Sequence, residues 1–208
     1  MSFTRPTGRW SRRLRRRARD DRGVSAVEFA LLAPVLVLLL AGIADLGLLL
    51  QTTRTTADAL HSAARQGARA GENTFADQAI LRAVQARMGA NDDIGAVVIY
   101  RAAAGSTGKP PPGCMPVAGQ MTPSGVSGLC NIYPGAFLDD PLDASDFDDS
   151  ECDTGEVDAF WCPADRGDAY DAGDRLGVWM SVNYKGTIGL VINQLTVDRH
   201  AVFRLEIE

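Results

Sequence analysis

The feature that most constrains this chain is an apolar run from Val24 to Leu50, interrupted only by Glu28 and Asp45. Between these two residues, the segment FALLAPVLVLLLAGIA carries no charge. A helix rises about 1.5 Å per residue, so the run reaches about 40 Å, more than the roughly 30 Å of hydrocarbon in a bilayer. The sequence therefore predicts a membrane-spanning helix over residues 24–50.

This helix is expected to be retained in the membrane. The run is longer than the apolar part of a secretory signal peptide, and no small-x-small cleavage site follows it. The next residues, QTTRTTADAL, continue a helical pattern instead.

Charge is distributed unevenly about the apolar run. Residues 1–23 hold nine arginines against Asp20 and Asp21, which leaves 12 Lys and Arg against 24 Asp and Glu in the remainder. An arginine-rich arm on an acidic body is also seen in nucleic-acid-binding proteins, but positive charge next to a membrane helix keeps that end in the cytoplasm. We therefore expect a single-pass protein of the cell membrane, with residues 1–23 as a cytoplasmic leader and residues 51–208 as an extracytoplasmic head. No nucleic-acid partner is expected.

All four cysteines fall in the expected extracytoplasmic head, which is typical of disulfides in an oxidising compartment. Three connectivities are possible, and the local pairs Cys114–Cys130 and Cys152–Cys162 are favoured. A zinc site is disfavoured because the spacings contain no C-x-x-C and no histidine lies nearby.

The pattern beyond the membrane predicts an α+β head. Helical spacing continues to Ala70, and Gly71 is a plausible stop. A second helix is expected over residues 74–88, with Thr74 and Asp77 forming a capping box, Gly89 closing it, and an apolar face made of Phe75, Ala79, Ile80, Ala83, Val84 and Met88.

Three segments have strand-like patterns. IGAVVIYRA is rich in β-branched residues, and DRLGVWMSVNYKG and NQLTVDRHAVFRLEIE alternate like half-buried strands, the second with a phase change near His200. A small antiparallel sheet packed against one or two helices follows from this order. Residues 102–174 are expected to form long Gly/Pro-rich and acidic loops, the first held by the Cys114–Cys130 pair.

An acidic stretch packs ten carboxylates into residues 139–158. Calcium prefers such oxygen ligands, but the EF-hand pattern is absent and Asp153–Glu156 is too short a match. A solvated, self-repelling loop is the favoured interpretation over a weak calcium site, and no metal or other cofactor is expected.

Catalytic motifs are absent from the sequence: there is no G-x-S-x-G, H-E-x-x-H or P-loop, and the two histidines, His61 and His200, are expected to be structural. The pair Asp148 and Asp149 lacks the desolvating surroundings that an acid–base dyad needs. No enzyme is expected.

Glu28 needs an explanation, because an ionised carboxylate near the bilayer centre costs roughly 2.5 kcal/mol or more. It could lie at headgroup depth. Alternatively, if the chain were cut between Gly23 and Val24, the new ammonium group of Val24 in its own or a neighbouring chain could pair with Glu28. Such a pair would allow helices to pack at only one axial offset.

The segment RGVSAVEFALLAPVLVLLLAGIADLG resembles the N-terminus of TadE/TadF-like pseudopilins of tight-adherence (Flp-type) pilus systems. The resemblance implies that Gly23 precedes a cut by a prepilin peptidase, that Val24 begins the mature chain, and that Glu28 and Phe29 are its fifth-position glutamate and following aromatic. Pro34 and Asp45 also fall at family positions. From the residues alone, Pro34 could simply kink the helix, and Asp45 is expected to mark the outer edge of the hydrocarbon.

The resemblance implies a minor pilin or assembly factor for an adhesion pilus, with other pilins and the assembly machinery as partners. One alternative is an unprocessed, membrane-anchored binding domain whose acidic loop takes calcium or a basic ligand. An anchored extracellular enzyme is a second alternative. A secretion or competence pseudopilin is a third, although these usually have an aromatic residue directly after the cut, where this chain has Val24.

Overall fold

The computed structural model describes residues 11–88, 93–103, 108–147, 156–167, 175–186 and 193–205, with the backbone alone for residues 11–22. A long helix continues into a head made of one further α-helix of ten residues, a short helical turn and an antiparallel sheet of five strands. This is the α+β arrangement that the sequence predicts.

Helix α1 runs from Ser11 to Ala70 and includes Pro34. It begins earlier than the expected start near Val24, because residues 11–22 contain no glycine or proline and are rich in arginine, a good helix former. The predicted stop is confirmed: Gly71 has φ 54°, and its N–H donates to the carbonyl of Gly67 at 3.1 Å. A glycine adopts this left-handed conformation at little cost.

Helix α2 covers Ala76–Gln85, and its expected capping box is wrong. Phe75 occupies the N-cap position without a side-chain hydrogen bond, and Asp77 is buried in the head. Instead, the N–H of Phe75 donates a hydrogen bond to the side-chain oxygen of Asn73 at 2.9 Å. Of the predicted apolar face, four residues are buried, Ala79 is half-buried and Phe75 is exposed, while Gly89 lies outside the described residues.

The sheet has the strand order β2-β3-β1-β4-β5, with all neighbouring strands antiparallel. The three predicted strands are confirmed as β1, β4 and β5, and the short β2, β3 and helix α3 were not predicted. The bounds are β1 Asp93–Arg101, β2 Ser124–Val126, β3 Cys130–Pro134, α3 Gly135–Leu138, β4 Arg175–Lys185 and β5 Gln194–Arg204.

Two predictions about the strands are wrong in detail. β4 is buried on both faces rather than half-buried. One face is covered by α1. On the other face, Trp179 belongs to a second apolar cluster with Cys114 and Cys130. β5 shows no phase change near His200, since it pairs with β4 in unbroken register from Arg204 to Gln194.

The main core lies between the helices and one face of the sheet. It includes Leu60 and Ala64 from α1, Ile80 and Val84 from α2, and the central strands. On the opposite face, the Cys114–Cys130 disulfide, with a Cα–Cα distance of 6.0 Å, ties the loop after β1 to β3, which confirms the favoured pairing. Cys162 is also disulfide-bonded, while its expected partner Cys152 lies outside the described residues.

Candidate assembly surface

Residues 24–40 of α1 present an apolar surface that the described parts of the head do not cover. Every residue from Val24 to Leu40 is exposed except Ala33, which is half-buried. Among the described residues, the part of α1 from Gly23 to Ala70 is the one helix long and apolar enough to cross a membrane. These side chains are therefore available to lipid or to neighbouring helices, and they identify the segment as a single-pass membrane anchor.

The residues predicted for processing and assembly lie together at the start of this surface. Apart from the backbone of its own helix, no described part of the chain lies within 4 Å of the position that a Cβ would take on Gly23. Val24 and Phe29 are exposed, as is Glu28, which lies one helical turn, about 6 Å, from Val24. No described residue of the head approaches Glu28 closely enough to form an ion pair, so its carboxylate is free to meet a group from outside the head.

Asp45, by contrast, is fully buried. Tyr184, near the end of β4, donates a hydrogen bond from its hydroxyl to the main-chain carbonyl of Asp45 at 3.2 Å. Both carboxylate oxygens of Asp45 are buried without a hydrogen-bond partner in the described parts of the chain. The head therefore meets α1 at Asp45, about 25 Å along the helix from Glu28.

A buried polar network that the sequence reasoning missed holds the head together. Asp77 on α2 lies 2.6 Å from the guanidinium of Arg166. Its other oxygen accepts hydrogen bonds from the hydroxyl of Tyr133 at 2.7 Å and the amide of Asn131 at 2.8 Å. Asp77 is three residues from Ile80 and seven from Val84, so the helical period places it on the apolar face of α2. This spacing is the sequence signal for the burial of Asp77.

The network also pins residues 156–167 to β3. Arg166 stacks over the Trp161 ring at 4.4 Å and donates to the carbonyl of Trp161 at 3.0 Å. The side chain of Asn131 bonds both the N–H and the carbonyl of Trp161. Burial, and then the negative charge of Asp77, raise the pKa of the neighbouring Asp158 to about 7.

A basic groove lies on the solvent face of α1, close to the residues that follow α2. It has a volume of about 390 Å³. Three arginines provide its positive charge, and its lining consists of Asp58, His61, Ser62, Arg65, Gln66, Arg69 and Arg87.

The acidic stretch is described only in part, because residues 148–155 lie outside the described ranges. Asp139, Asp140 and Asp143 are exposed, and a hydrogen bond from the N–H of Ser145 lowers the pKa of Asp143. No group of three or more potential metal ligands occurs among the residues that the structure describes.

The two histidines lie on different elements, one on the long helix and one on the last strand. His61 lies on α1 with its ring edge-on to Phe203 at 6.1 Å, and His200 pairs with Trp179 across β5 and β4. Asp148 and Asp149 lie outside the described residues.

No curated protein and no solved structure shows significant similarity to this chain. A family model described as TadE-like protein does match, over residues 23–69. The match begins at Gly23, includes Val24, Glu28, Pro34 and Asp45, and ends one residue before α1 does. This family is associated with the assembly of tight-adherence (Flp-type) pili. The membrane helix and its continuation into the head are therefore the part of the chain that is similar to TadE-like proteins.

Proposed function

We propose that this protein is a minor pilin or pseudopilin that takes part in assembling a tight-adherence pilus after cleavage by a prepilin peptidase between Gly23 and Val24. Its role is assembly rather than catalysis. The arginine-rich leader stays in the cytoplasm, and the disulfide-bonded head faces outward. Other pilins and the pilus assembly machinery are its partners.

The observation that carries this proposal is the uncovered apolar surface of α1 with one acidic residue near its start. A helix that served only to anchor the head would gain nothing from a carboxylate at position 28. An exposed Glu28, one turn after Val24, is instead placed to interact with a neighbouring helix. The TadE-like match over the same residues supports this interpretation.

Cleavage would give Glu28 a charged partner. The new N-terminus at Val24 would be an α-ammonium group with a pKa near 8, largely protonated at neutral pH. A carboxylate in an apolar environment is far less costly when paired with a cation than when alone. Pairing Glu28 with the Val24 ammonium of a neighbour would set the axial offset at which two helices pack.

The peptidase must reach a peptide bond that lies within a continuous helix. Glycine destabilises a helix interior by about 1 kcal/mol relative to alanine, so Gly23 favours local opening at the bond to be cut. No described side chain lies within 4 Å of the Cβ position of Gly23, which supports an accessible cleavage site.

The test is mass spectrometry of the N-terminus of the membrane-extracted protein, with and without a co-expressed prepilin peptidase. A start at Val24 that depends on the peptidase is the expected result. A Gly23→Leu variant should remain uncut and provides the control for specificity. If wild-type protein keeps Met1 in the presence of an active peptidase, the proposal is wrong, and an unprocessed membrane-anchored binding domain becomes the better account.

A further inference from the structure

The basic groove has a net positive charge, because its lining contains three arginines and one carboxylate, that of Asp58. Arg65, Arg69 and Arg87 are exposed, and none of them forms an ion pair or a side-chain hydrogen bond with another described residue. They belong to a body that is strongly acidic overall, with twice as many acidic as basic residues after Gly23. A concentration of free arginines on such a body indicates an anionic partner.

The same head carries a complementary surface, the acidic strip formed by Asp139, Asp140 and Asp143. Asp139 and Asp140 are exposed and form no ion pair with any described residue. Hydrogen bonds from α2 hold the backbone of the strip: Gln85 donates to the carbonyls of Leu138 at 2.8 Å and Asp140 at 3.2 Å. The carboxylates are therefore presented from a fixed backbone.

Both surfaces include or are held by residues near the C-terminal end of α2. Gln85, which holds the acidic strip, is two residues from Arg87, which lines the groove. They are on different sides of α2, because α1 packs along one side of this helix and residues 138–142 are bonded to it elsewhere. The groove is formed by α1 with Arg87, whereas the strip is held by the side chains of Arg82 and Gln85.

We propose that the basic groove of one copy binds the acidic strip of a neighbouring copy. The inference deepens the proposed assembly function, on which it rests for the side-by-side packing of the membrane helices. Copies anchored by the same helix share one orientation, so strip and groove meet without a large axial shift. Such a contact is heterologous, so it links neighbouring copies head to tail and does not close a two-fold symmetric dimer.

Anionic lipid headgroups are a less suitable occupant of the groove. Arg65 lies twenty residues beyond Asp45 on α1, about 30 Å farther along the helix axis. The head already meets the helix at Asp45, so the groove is well above the expected membrane surface. Its charge is directed towards another extracytoplasmic protein surface instead.

Cross-linking in the membrane tests the contact with the full-length chain. Two differently tagged copies, one carrying Arg65→Cys and the other Asp140→Cys, are co-expressed and treated with a short bismaleimide. A cross-link between the two tags is expected. Arg54→Cys is the matched control, because Arg54 is exposed on nearly the same face of α1 but about 16 Å nearer the membrane, and it should give little product.

Two results would overturn the inference: no cross-link between the tags, or a dominant Arg65→Cys to Arg65→Cys product, which would indicate a symmetric interface. Charge exchange gives an independent readout in the cysteine-substituted pair. Cysteine replaces Arg65 in the groove copy, so the other two arginines of that copy are changed. Arg69→Glu with Arg87→Glu should reduce the yield of cross-linked product at least fivefold. Asp139→Lys with Asp143→Lys on the other copy should restore it, and a failure to restore it also counts against the contact.

These outcomes are separable from those of the proposed function. A Val24 N-terminus without the cross-link would remove only the contact between heads. A Met1 N-terminus with the cross-link would show self-association of an unprocessed membrane protein, so the head contact would stand while the pilus proposal fell.

Discussion

The hydroxyl of Tyr184 donates a hydrogen bond to the main-chain carbonyl of Asp45 at 3.2 Å, across 139 residues of sequence. Burial, and then the nearby Asp45 charge, raise the pKa of Tyr184, so the hydroxyl remains a donor at physiological pH. The contact joins the end of β4 to the helix where its uncovered apolar surface gives way to the head. The head is therefore fixed to the membrane helix by the sheet as well as by the chain itself.

Replacing Asp45 with asparagine should stabilise the head. Both carboxylate oxygens are buried without hydrogen-bond partners among the described residues, and an unpaired buried charge is more costly than an amide of the same shape. We expect a higher Tm for Asp45→Asn in detergent micelles. Asp58→Asn, on the same helix but exposed, should leave the Tm nearly unchanged. A lower Tm for Asp45→Asn would mean that the carboxylate has a stabilising partner.

Removing the charge of Asp77 should severely destabilise the head. Asp77→Asn leaves Arg166 fully buried without its counter-ion, and breaking a buried pair in this way costs about 3–5 kcal/mol. Denaturant unfolding of the full chain in micelles measures the loss.

The matched control for Asp77 is the Lys185–Asp93 pair, in which the side chains are 70% and 45% exposed. Asp93→Asn should cost no more than about 1 kcal/mol, because exposed ion pairs contribute little. Equal losses for the two variants would show that the buried network does not hold residues 156–167 in place.

Asp158 predicts a pH dependence of stability. Its pKa is raised to about 7 in the folded head, chiefly by burial and then by Asp77, with Glu156 adding to the rise and Arg166 opposing it. An unfolded aspartate has a pKa of about 3.9, so between about pH 4 and 7 the folded state holds a proton that the unfolded state releases. The contribution of Asp158 to stability is thus complete below pH 4 and is lost as the pH rises to 7.

Thermal unfolding from pH 4 to 8 checks this prediction. As the pH rises, the Tm of the wild type should fall relative to the Tm of Asp158→Asn. Asp165→Asn, which changes an exposed aspartate in the same segment, should run parallel to the wild type. Parallel curves for Asp158→Asn as well would contradict the assignment.

At Gly67, α1 packs closely against side chains of α2 and β4. A Cβ at this position would lie 2.5 Å from both the Ile80 and Leu176 side chains, whereas at Gly47 on the same helix it would meet nothing within 4 Å. Overpacking costs about 1–3 kcal/mol, against a helix-propensity gain of at most about 1 kcal/mol. Gly67→Ala should therefore lower the Tm and Gly47→Ala should not. Similar Tm values for both would show that the packing adapts freely.

The elements that sequence predicted well are those with a strong local signal. The apolar run, the stop at Gly71 and the β-branched pattern of β1 each depend on neighbouring residues, and all three are confirmed. The pairing of Cys114 with Cys130 was also favoured by their closeness in sequence.

What could not be predicted depends on long-range contacts. The position of Asp77 on the apolar face of α2 indicates burial, but its partners Asn131 and Arg166 could not be predicted because they lie 54 and 89 positions later in the chain. β4 looked half-buried because the sequence does not show that it pairs centrally in the sheet and that a second apolar cluster covers its other face. The basic groove combines α1 with Arg87 after α2, so no single segment displays it.

Glu28 provides the most direct test of the assembly mechanism. Glu28→Ala removes the carboxylate from an exposed position, so membrane insertion and the Tm of the head should not change. Under the proposed mechanism, co-purification with pilins and the number of pili per cell should fall at least tenfold, because the helix would lose the group proposed to pair with a neighbour's Val24 ammonium. Glu28→Asp keeps the charge on a shorter side chain and should retain part of the activity, which separates loss of charge from loss of shape. Normal piliation by a cleaved Glu28→Ala protein would show that the carboxylate has no part in packing the helices.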